Sequence, residues 1–192
     1  LADENSLAVK HLQDLSKAGV THLQILPAFD IATVNEDPAK VANLDDSFKK
    51  LCEVNEAVKN STKFNANCSS DSTIAEVMAT LDKDGEDRQA LNRMVADTDS
   101  FNWGYDPFHY TTPEGSYSTN PDGTARILEF RKMVKAIKEN IGMNVVMDVV
   151  YNHTNESGVS SKSVLDKIVP WYYQRLDETS GDVTQSTCCS NT

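Results

Sequence analysis

Residues 143–154, with the sequence MNVVMDVVYNHT, constrain the fold of this chain more than any other segment. The run is apolar and rich in β-branched residues, and a long amphipathic stretch that ends at Gly142 leads directly into it. The apolar stripe of that stretch consists of Ile127, Phe130, Val134, Ile137 and Ile141. A helix followed at once by an apolar strand is typical of parallel sheets buried on both faces. We therefore expect a helix after residue 122 and a buried strand over residues 143–150.

Polar residues occupy the interior and the exit of this predicted strand. Asp148 lies inside it, and Asn152 and His153 follow directly after it. A buried carboxylate is costly unless another group pairs with it. Two interpretations follow: either these residues form the wall of an active site, or Asp148 accepts hydrogen bonds from loops while His153 packs in the core.

A second helix-to-strand unit begins the chain. Asn5 or Ser6 can cap a helix that Gly19 ends, and a strand over residues 21–26 then runs into Pro27. The apolar positions of this helix are Ala8, Leu12 and Leu15. Two such units with short connections predict an α/β barrel or a doubly wound sheet, with the two strands parallel and adjacent.

About 90 residues separate the first strand from the second helix, far more than the two to six of an ordinary connection. This excursion predicts an inserted subdomain with helices of its own. One helical signal consists of Phe48, Leu51 and Cys52, and a second consists of Ile74, Val77, Met78 and Leu81. The second follows a capping-box pattern from Thr73 to Glu76. The polar residues 60–72 predict a loop.

Residues 101–117, FNWGYDPFHYTTPEGSY, hold six of the 14 aromatic residues of the chain, interleaved with Asn102, Asp106, His109 and Glu114. Aromatic faces beside short polar side chains suit a sugar ring, which offers C–H faces and a rim of hydroxyl groups. The alternative is a small aromatic core under a loop. The segment leaves from the C-terminal end of the first strand, which carries the active site in barrel enzymes. Topology therefore predicts Tyr105 and His153 around one cleft.

Composition excludes several kinds of partner. The net charge of -11 and the isoelectric point near 4.7 disfavour nucleic acids and anionic membranes. No apolar stretch approaches the ~20 residues of a membrane helix. The four cysteines lack the CxxC pairs or Cys/His clusters of a zinc site. Their even number suits an oxidising compartment, and four free buried thiols are the alternative.

The motifs NWGYDPFHY, PEGSYST and MDVVYNHT together resemble the pullulanases, the starch-debranching members of the α-amylase superfamily of glycoside hydrolases, and in particular the type that Gram-negative bacteria secrete. The segments LCEVN, VLDKIVPWYYQRL and TCCS extend the resemblance. It implies an α/β fold that is a fragment of a (β/α)8 TIM-type barrel with a long, mostly helical insertion in one βα loop.

On that basis the chain divides into five parts. Residues 1–30 hold the first helix and barrel strand, residues 31–100 the inserted helical subdomain, and residues 101–121 the aromatic, substrate-facing loop. Residues 122–154 hold a barrel helix and the strand that ends in DVVYNH. Residues 155–192 belong to the following βα loop region, and the barrel is incomplete.

The resemblance also implies roles for site residues. Tyr105 would stack on the sugar ring whose bond is cleaved, and His153 would donate a hydrogen bond to a hydroxyl of that ring. Asp148 would hold neighbouring strand-end residues, while Trp103 and Asp106 would shape the loop beneath Tyr105. Asn152 would be a ligand of a structural calcium ion. No cofactor is otherwise required.

Retaining enzymes of this superfamily need an Asp nucleophile and a Glu general acid about 5 Å apart. The motifs that carry these two catalytic residues in the family are absent from the sequence. We therefore expect the nucleophile and the general acid to lie beyond Thr192, and the isolated 192-residue chain to be inactive. The string Arg175-Leu176-Asp177 follows WYYQ rather than a buried strand, which predicts an exposed Asp177.

The expected partners are an α-glucan polysaccharide or oligosaccharide and the rest of the barrel. The resemblance implies a secreted or cell-surface parent protein. In that environment Cys52 would pair with Cys68, and Cys188 and Cys189 would be candidates for a vicinal disulfide. Two alternatives remain: a fragment of an isoamylase- or α-amylase-type hydrolase, or a non-catalytic carbohydrate-binding domain.

Overall fold

The computed structural model describes residues 6–184. The chain divides into two compact units, of which the first comprises Leu1–Ala32 and Trp103–Thr192 and the second comprises Thr33–Asn102. The strands are β1, His22–Ile25, and β2, Asn144–Met147. The α-helices are α1 Leu7–Lys17, α2 Phe48–Val54, α3 Glu56–Lys59, α4 Ile74–Ala79, α5 Glu86–Ala96, α6 Ala125–Ala136 and α7 Leu165–Ile168. No helix among the described residues has the length and apolar character needed to span a bilayer.

A parallel two-stranded sheet organises the first unit. The strands β1 and β2 pair in register from His22 opposite Asn144 to Ile25 opposite Met147, so the expectation of parallel, adjacent strands is confirmed. A small apolar core lies beside the sheet. Its buried members are Ile137, Ile141 and Met143, and its partly buried members are Leu12, Leu15, Leu23, Met133 and Val145.

The predicted strand over residues 143–150 is wrong in extent and in burial. Strand β2 has four residues that alternate between exposed and half-buried, and Val146 is 43% exposed. Asp148 therefore follows the strand instead of lying inside it, and it is only half-buried. The reason is that, among the described residues, the small core packs on the face that carries Leu23 and Val145, and the opposite face, which carries Val146, remains exposed.

The helices that precede the strands follow the sequence signals closely. Ser6 caps α1 by accepting a hydrogen bond from the Val9 amide at 3.3 Å. Leu12 and Leu15 pack against the core as predicted, whereas Val9 is buried in place of the exposed Ala8 at the first position of the stripe. Helix α6 continues into a π-helical turn, Ile137–Ile141, which Gly142 ends in the left-handed conformation at φ 85°. Ile127 is exposed, and the predicted stripe is fully buried only at its last two positions.

The second unit is helical and has its own core. The predicted capping box at the start of α4 is present, because Thr73 accepts from the Glu76 amide and Glu76 accepts from the Thr73 amide. A disulfide joins Cys52 on α2 to Cys68 in a 3₁₀ turn, Asn65–Ser69, and so confirms this pairing. The buried core consists of Ala42, Phe48, Leu51, Cys52, Val58, Phe64, Ile74, Val77, Met78, Leu91 and Val95. Cys188 and Cys189 lie outside the described residues.

In the first unit, residues 28–32 run antiparallel to residues 106–114. Isolated bridges join Phe29 to Pro113 and Ile31 to Pro107. Glu114 is 2% exposed, and its carboxylate accepts hydrogen bonds from the Ile31 amide at 2.7 Å and the Ser116 amide at 2.8 Å. Because these contacts satisfy the buried charge, the aromatic segment is held against the chain that leaves β1.

Gly104 lies close to the backbone of Pro27. Its φ is 80°, and a Cβ atom placed on it would lie 2.1 Å from the carbonyl oxygen of Pro27. No other residue fits, both because L side chains disfavour this conformation and because the carbonyl occupies the space. Gly104 therefore brings Trp103 and Tyr105 against the C-terminal end of β1.

Loss of the disulfide should destabilise the second unit. The bridge closes a loop with a sequence separation of 16, for which the chain-entropy model gives about 3 kcal/mol. The double variant Cys52→Ser/Cys68→Ser should lose about that much free energy of unfolding, measured by urea denaturation. Thiol titration of the denatured, unreduced protein should find neither cysteine free, and reactive thiols at both positions in oxidised material would contradict the assignment.

Gly104→Ala should be far more damaging than an alanine at another left-handed glycine. Gly181 has φ 74°, and a Cβ atom placed on it would meet no atom within 4 Å, so Gly181→Ala should cost only the backbone strain, about 1 kcal/mol. Gly104→Ala adds the clash with Pro27, which we expect to cost a further ~1–3 kcal/mol. Melting curves of the two variants test this, and equal losses would show that the close approach is not required.

Candidate functional site

Tyr105 and Asp148 form the first contact of the candidate site. The Tyr105 hydroxyl donates a hydrogen bond to Asp148 Oδ2 at 2.7 Å, and this bond is the main reason that the pKa of Tyr105 is raised. The amide of Asp148 donates to the carbonyl of Ile25 at 3.1 Å, which fixes Asp148 at the end of the sheet. The phenol is therefore anchored by its edge, while the side chain stays 40% exposed.

The His153 ring lies between Tyr105 and Asn152. Its Nε2 is 2.9 Å from the Tyr105 carbonyl oxygen, and its Nδ1 is 3.0 Å from Asn152 Nδ2. A carbonyl oxygen can only accept and an amide nitrogen can only donate. Nε2 must therefore carry the proton and Nδ1 must accept, which describes the neutral Nε2–H tautomer. In this arrangement both ring nitrogens are engaged within the protein.

Tyr110 forms a hydrogen bond with the backbone of His153. Its hydroxyl donates to the backbone carbonyl of His153 at 2.8 Å. Its ring packs against Tyr151, with the ring centroids 5.6 Å apart. Burial raises the pKa of the Tyr110 phenol, and the neighbouring Tyr151 phenol raises it further. Sequence reasoning gave Tyr110 no role, although its place in the aromatic segment was a usable signal.

The other predicted residues occupy the loop around Tyr105. Trp103 is 63% exposed. The backbone carbonyl of Asp106 accepts from the Ala32 amide at 2.9 Å, so this residue helps to join the loop to the segment after β1. A further contact in this region was missed: His109 Nδ1 pairs with the buried carboxylate of Asp30.

Asn152 by itself supplies too few ligands for a calcium ion. Its amide nitrogen bonds to His153, and its amide oxygen is one hard ligand, whereas calcium takes six to eight oxygens. Within the described part of the chain, neither Asp148 nor His153 belongs to a group of three His, Cys, Asp or Glu side chains close enough to hold one ion. Among the described residues, the side chains around Asn152 therefore do not make a complete calcium site.

A cleft of about 260 Å³ opens beside His153. Its lining combines aromatic, amide, hydroxyl and guanidinium groups, and it contains no carboxylate among the described residues. The lining residues are Tyr110, Tyr151, Asn152, His153, Thr154, Leu165, Tyr173, Gln174, Arg175 and Thr184. Such a surface can stack on and hydrogen-bond to a neutral polyol.

The string Arg175-Leu176-Asp177 does not place a carboxylate in this cleft. Leu176 bridges Val183 in a short hairpin. The exposed Asp177 carboxylate accepts hydrogen bonds from the amides of Ser180 and Thr179, and these bonds lower its pKa. Asp177 therefore stabilises a surface turn.

A family model described as the Pullulanase Ins domain matches residues 31–101. The whole chain is 60% identical over 196 residues to a pullulanase of Klebsiella aerogenes, of which it covers 18%. It is also 38% identical over 190 residues to chloroplastic pullulanase 1 of Arabidopsis thaliana, covering 98% of this chain and 16% of that protein.

The crystal structure of Klebsiella pneumoniae pullulanase complexed with maltotriose superposes with a TM-score of 0.91 at 60% identity, covering 98% of this chain and 18% of that chain. The chain thus spans less than a fifth of the length of these relatives. Agreement in sequence and in backbone extends over nearly all of its residues, and it includes the segments that carry Tyr105 and His153. The chain therefore belongs to the pullulanase family.

Proposed function

We propose that this chain is part of the catalytic domain of a starch-debranching glycoside hydrolase that cleaves α-1,6-glucosidic bonds in pullulan, amylopectin and limit dextrins with retention of configuration. The chain contributes substrate contacts, while the nucleophile and the general acid come from other segments. The observation that carries the proposal is the 60% identity to a Klebsiella pullulanase over the whole chain. The maltotriose in the related crystal structure supports an α-glucan as substrate.

In this proposal the first unit is a fragment of a (β/α)8 barrel, and the second unit is an insertion in one βα loop. The parallel pairing of β1 and β2 with a helix before each strand supports the barrel. The exposure of Leu26 and Val146, at 51% and 43%, supports further strands or helices against the sheet. The match of residues 31–101 to an insertion domain supports the second assignment.

The sugar ring at the scissile bond stacks on the exposed face of Tyr105. Asp148 holds the phenol by its hydroxyl edge, so the platform is fixed before the substrate arrives. His153 donates from Nε2 to a hydroxyl of the same ring. In the free protein Nε2–H donates to the Tyr105 carbonyl. Substrate binding therefore replaces this carbonyl by the sugar hydroxyl as the acceptor.

The parent protein is secreted or attached to the cell surface, which the disulfide between Cys52 and Cys68 supports. A structural calcium ion at Asn152 would need ligands from other parts of the parent protein. The remainder of the barrel is the obligatory partner of this chain.

An isoamylase-type parent is the second candidate. An isoamylase of Pseudomonas is 34% identical over 96 residues, which covers 49% of this chain. The pullulanase relatives match at higher identity and over the whole chain, so we favour the pullulanase assignment. A self-standing carbohydrate-binding domain fits less well, because two parallel strands with exposed apolar residues do not enclose a core.

The isolated chain should not hydrolyse pullulan, because a double displacement requires two carboxylates, which are lacking in the described lining of its cleft. A chimera in which this chain replaces the matching segment of the Klebsiella pneumoniae pullulanase should be active. Release of reducing sugar from pullulan is the measurement for both proteins. Turnover by the isolated chain that disappears in Asp177→Asn would contradict the proposal, and so would a folded but inactive chimera.

Within the active chimera, Tyr105→Ala and His153→Ala should lower kcat/KM. Tyr105→Ala removes the stacking surface, for which we expect a loss of about 2 kcal/mol, roughly thirtyfold. His153→Ala removes a donor that exchanges between two acceptors, for which we expect about 1.5 kcal/mol, roughly tenfold.

Phe101→Ala is the matched control, because Phe101 is an exposed aromatic of the same segment, at 76% exposure, with no proposed role. Its kinetics should equal those of the unmodified chimera. If Tyr105 and His153 only pack the loop, their variants will show depressed melting temperatures with normal specific activity in the folded fraction. That pattern would refute their assignment as substrate contacts.

A further inference from the structure

The aromatic segment, residues 101–117, lies beside the chain that leaves β2, and two tyrosine hydroxyls join them. The Tyr105 hydroxyl donates to Asp148 Oδ2 at 2.7 Å, and the Tyr110 hydroxyl donates to the His153 carbonyl at 2.8 Å. Both pairs are separated by 43 residues. Because the separation is the same, residues 105–110 and 148–153 run in one direction and stay in register. The two side chains therefore continue the attachment that β1 and β2 make through their backbones.

Two carbonyl groups of the aromatic segment accept hydrogen bonds from the opposite chain. The Asn155 amide donates to the Pro107 carbonyl at 3.4 Å, and His153 Nε2 donates to the Tyr105 carbonyl at 2.9 Å. The imidazole thus takes the place of a backbone donor in this attachment. Under the proposed function a sugar hydroxyl accepts from Nε2–H, so the Tyr105 carbonyl loses its donor. Substrate binding therefore removes one of the contacts that hold the two segments together.

The hydrogen bond from Tyr110 survives this exchange, because it uses the backbone of His153 and not the imidazole. Residues 148–154 form no helix or strand. Among the described residues, the Tyr110 hydroxyl is the one hydrogen-bond partner of the His153 backbone. Without this bond, the backbone would be free to shift when the side chain changes its acceptor. A small shift of a substrate-contacting group is enough to lower the rate.

Tyr110 is itself held in place on two sides. The preceding residue, His109, pairs with the buried carboxylate of Asp30, and the Phe108 amide donates to the Asp30 carbonyl at 2.9 Å. The half-buried Tyr110 ring packs against Tyr151. The hydroxyl is thus carried by a packed ring on a backbone that is tied to the segment after β1. Such a group can define the position of its partner.

We propose that Tyr110 is a positioning residue for His153. It holds the His153 backbone while the Nε2–H donor turns from the Tyr105 carbonyl to a hydroxyl of the sugar ring at the scissile bond. This inference rests on the proposed function, in which His153 donates to that ring, and it adds a residue that acts through His153. The effect of the Tyr110 hydroxyl on the reaction must therefore disappear when the His153 donor is removed.

A double-mutant cycle in the active chimera tests this role with pullulan as substrate. Tyr110→Phe keeps the ring against Tyr151 and removes only the hydroxyl. It should lower kcat/KM about threefold, which is part of the roughly tenfold loss expected for His153→Ala. The loss should fall mainly on kcat, since hydrogen bonds to hydroxyls of the reacting ring strengthen in the transition state. In the His153→Ala background, Tyr110→Phe should leave kcat/KM unchanged.

Tyr172→Phe is the matched control, because it also removes one phenol hydroxyl. Tyr172 is 75% exposed and lies outside the described lining of the cleft. Its kinetics should equal those of the unmodified chimera. Melting curves of all the variants, with activity expressed per folded molecule, separate an effect on positioning from an effect on stability.

In an active chimera, normal kcat/KM in Tyr110→Phe would overturn the inference. An equal loss with and without His153 would also overturn it, because Tyr110 would then act on the substrate or on the fold directly. Failure of Tyr110→Phe to fold would count the same way, since the hydroxyl would then serve stability. A folded but inactive chimera would overturn the proposed function and this inference with it.

Discussion

The parallel ladder between β1 and β2 is the constraint on which the rest of the first unit depends. It pairs His22 with Asn144 and Ile25 with Met147, across most of the chain. Closing so long a loop is entropically unfavourable, and only a few backbone bonds and a small apolar core offset it. Because parallel strands end at the same edge, the Asp148 amide reaches the Ile25 carbonyl. The aromatic segment can then contact both strand ends, and Gly104 is the residue that lets it approach closely enough.

Asp148 contacts both strand β1 and the candidate site at Tyr105. Its amide is bound to β1 through the Ile25 carbonyl, and its carboxylate holds the Tyr105 hydroxyl. The Tyr105 carbonyl in turn accepts from His153. The chain thus uses the Tyr105 hydroxyl for its own structure, while Tyr105 remains 40% exposed. Under the proposed function the stacking surface is therefore fixed before the substrate binds, whereas the donor from His153 becomes available only when its present acceptor is exchanged.

Local signals in the sequence predicted local structure well, because their partners are close along the chain. The Ser6 cap, the Thr73 and Glu76 capping box, and the Gly142 stop all follow from side chains and backbone within a few residues. Burial of β2 was predicted wrongly, because burial depends on which strands lie alongside. The support of His153 by Tyr110 joins residues separated by 43 positions. The place of Tyr110 in the aromatic segment was a usable signal for this contact, whereas the lining by Tyr173 and Arg175 comes from a segment with no periodic pattern, so composition could not reveal it.

The lack of carboxylates in the described lining of the cleft and the exposure of the sheet have one physical explanation under the proposed function. Parallel strands in α/β proteins are normally covered on both faces, yet Leu26 and Val146 remain largely exposed. Further barrel strands would cover these residues, and their C-terminal ends would lie at the edge where Tyr105 and His153 already meet. Catalytic groups carried by those strand ends would therefore arrive beside a preformed sugar platform. In such an arrangement the same strand pairing that completes the core also completes the active site, so stability and activity depend on one assembly step.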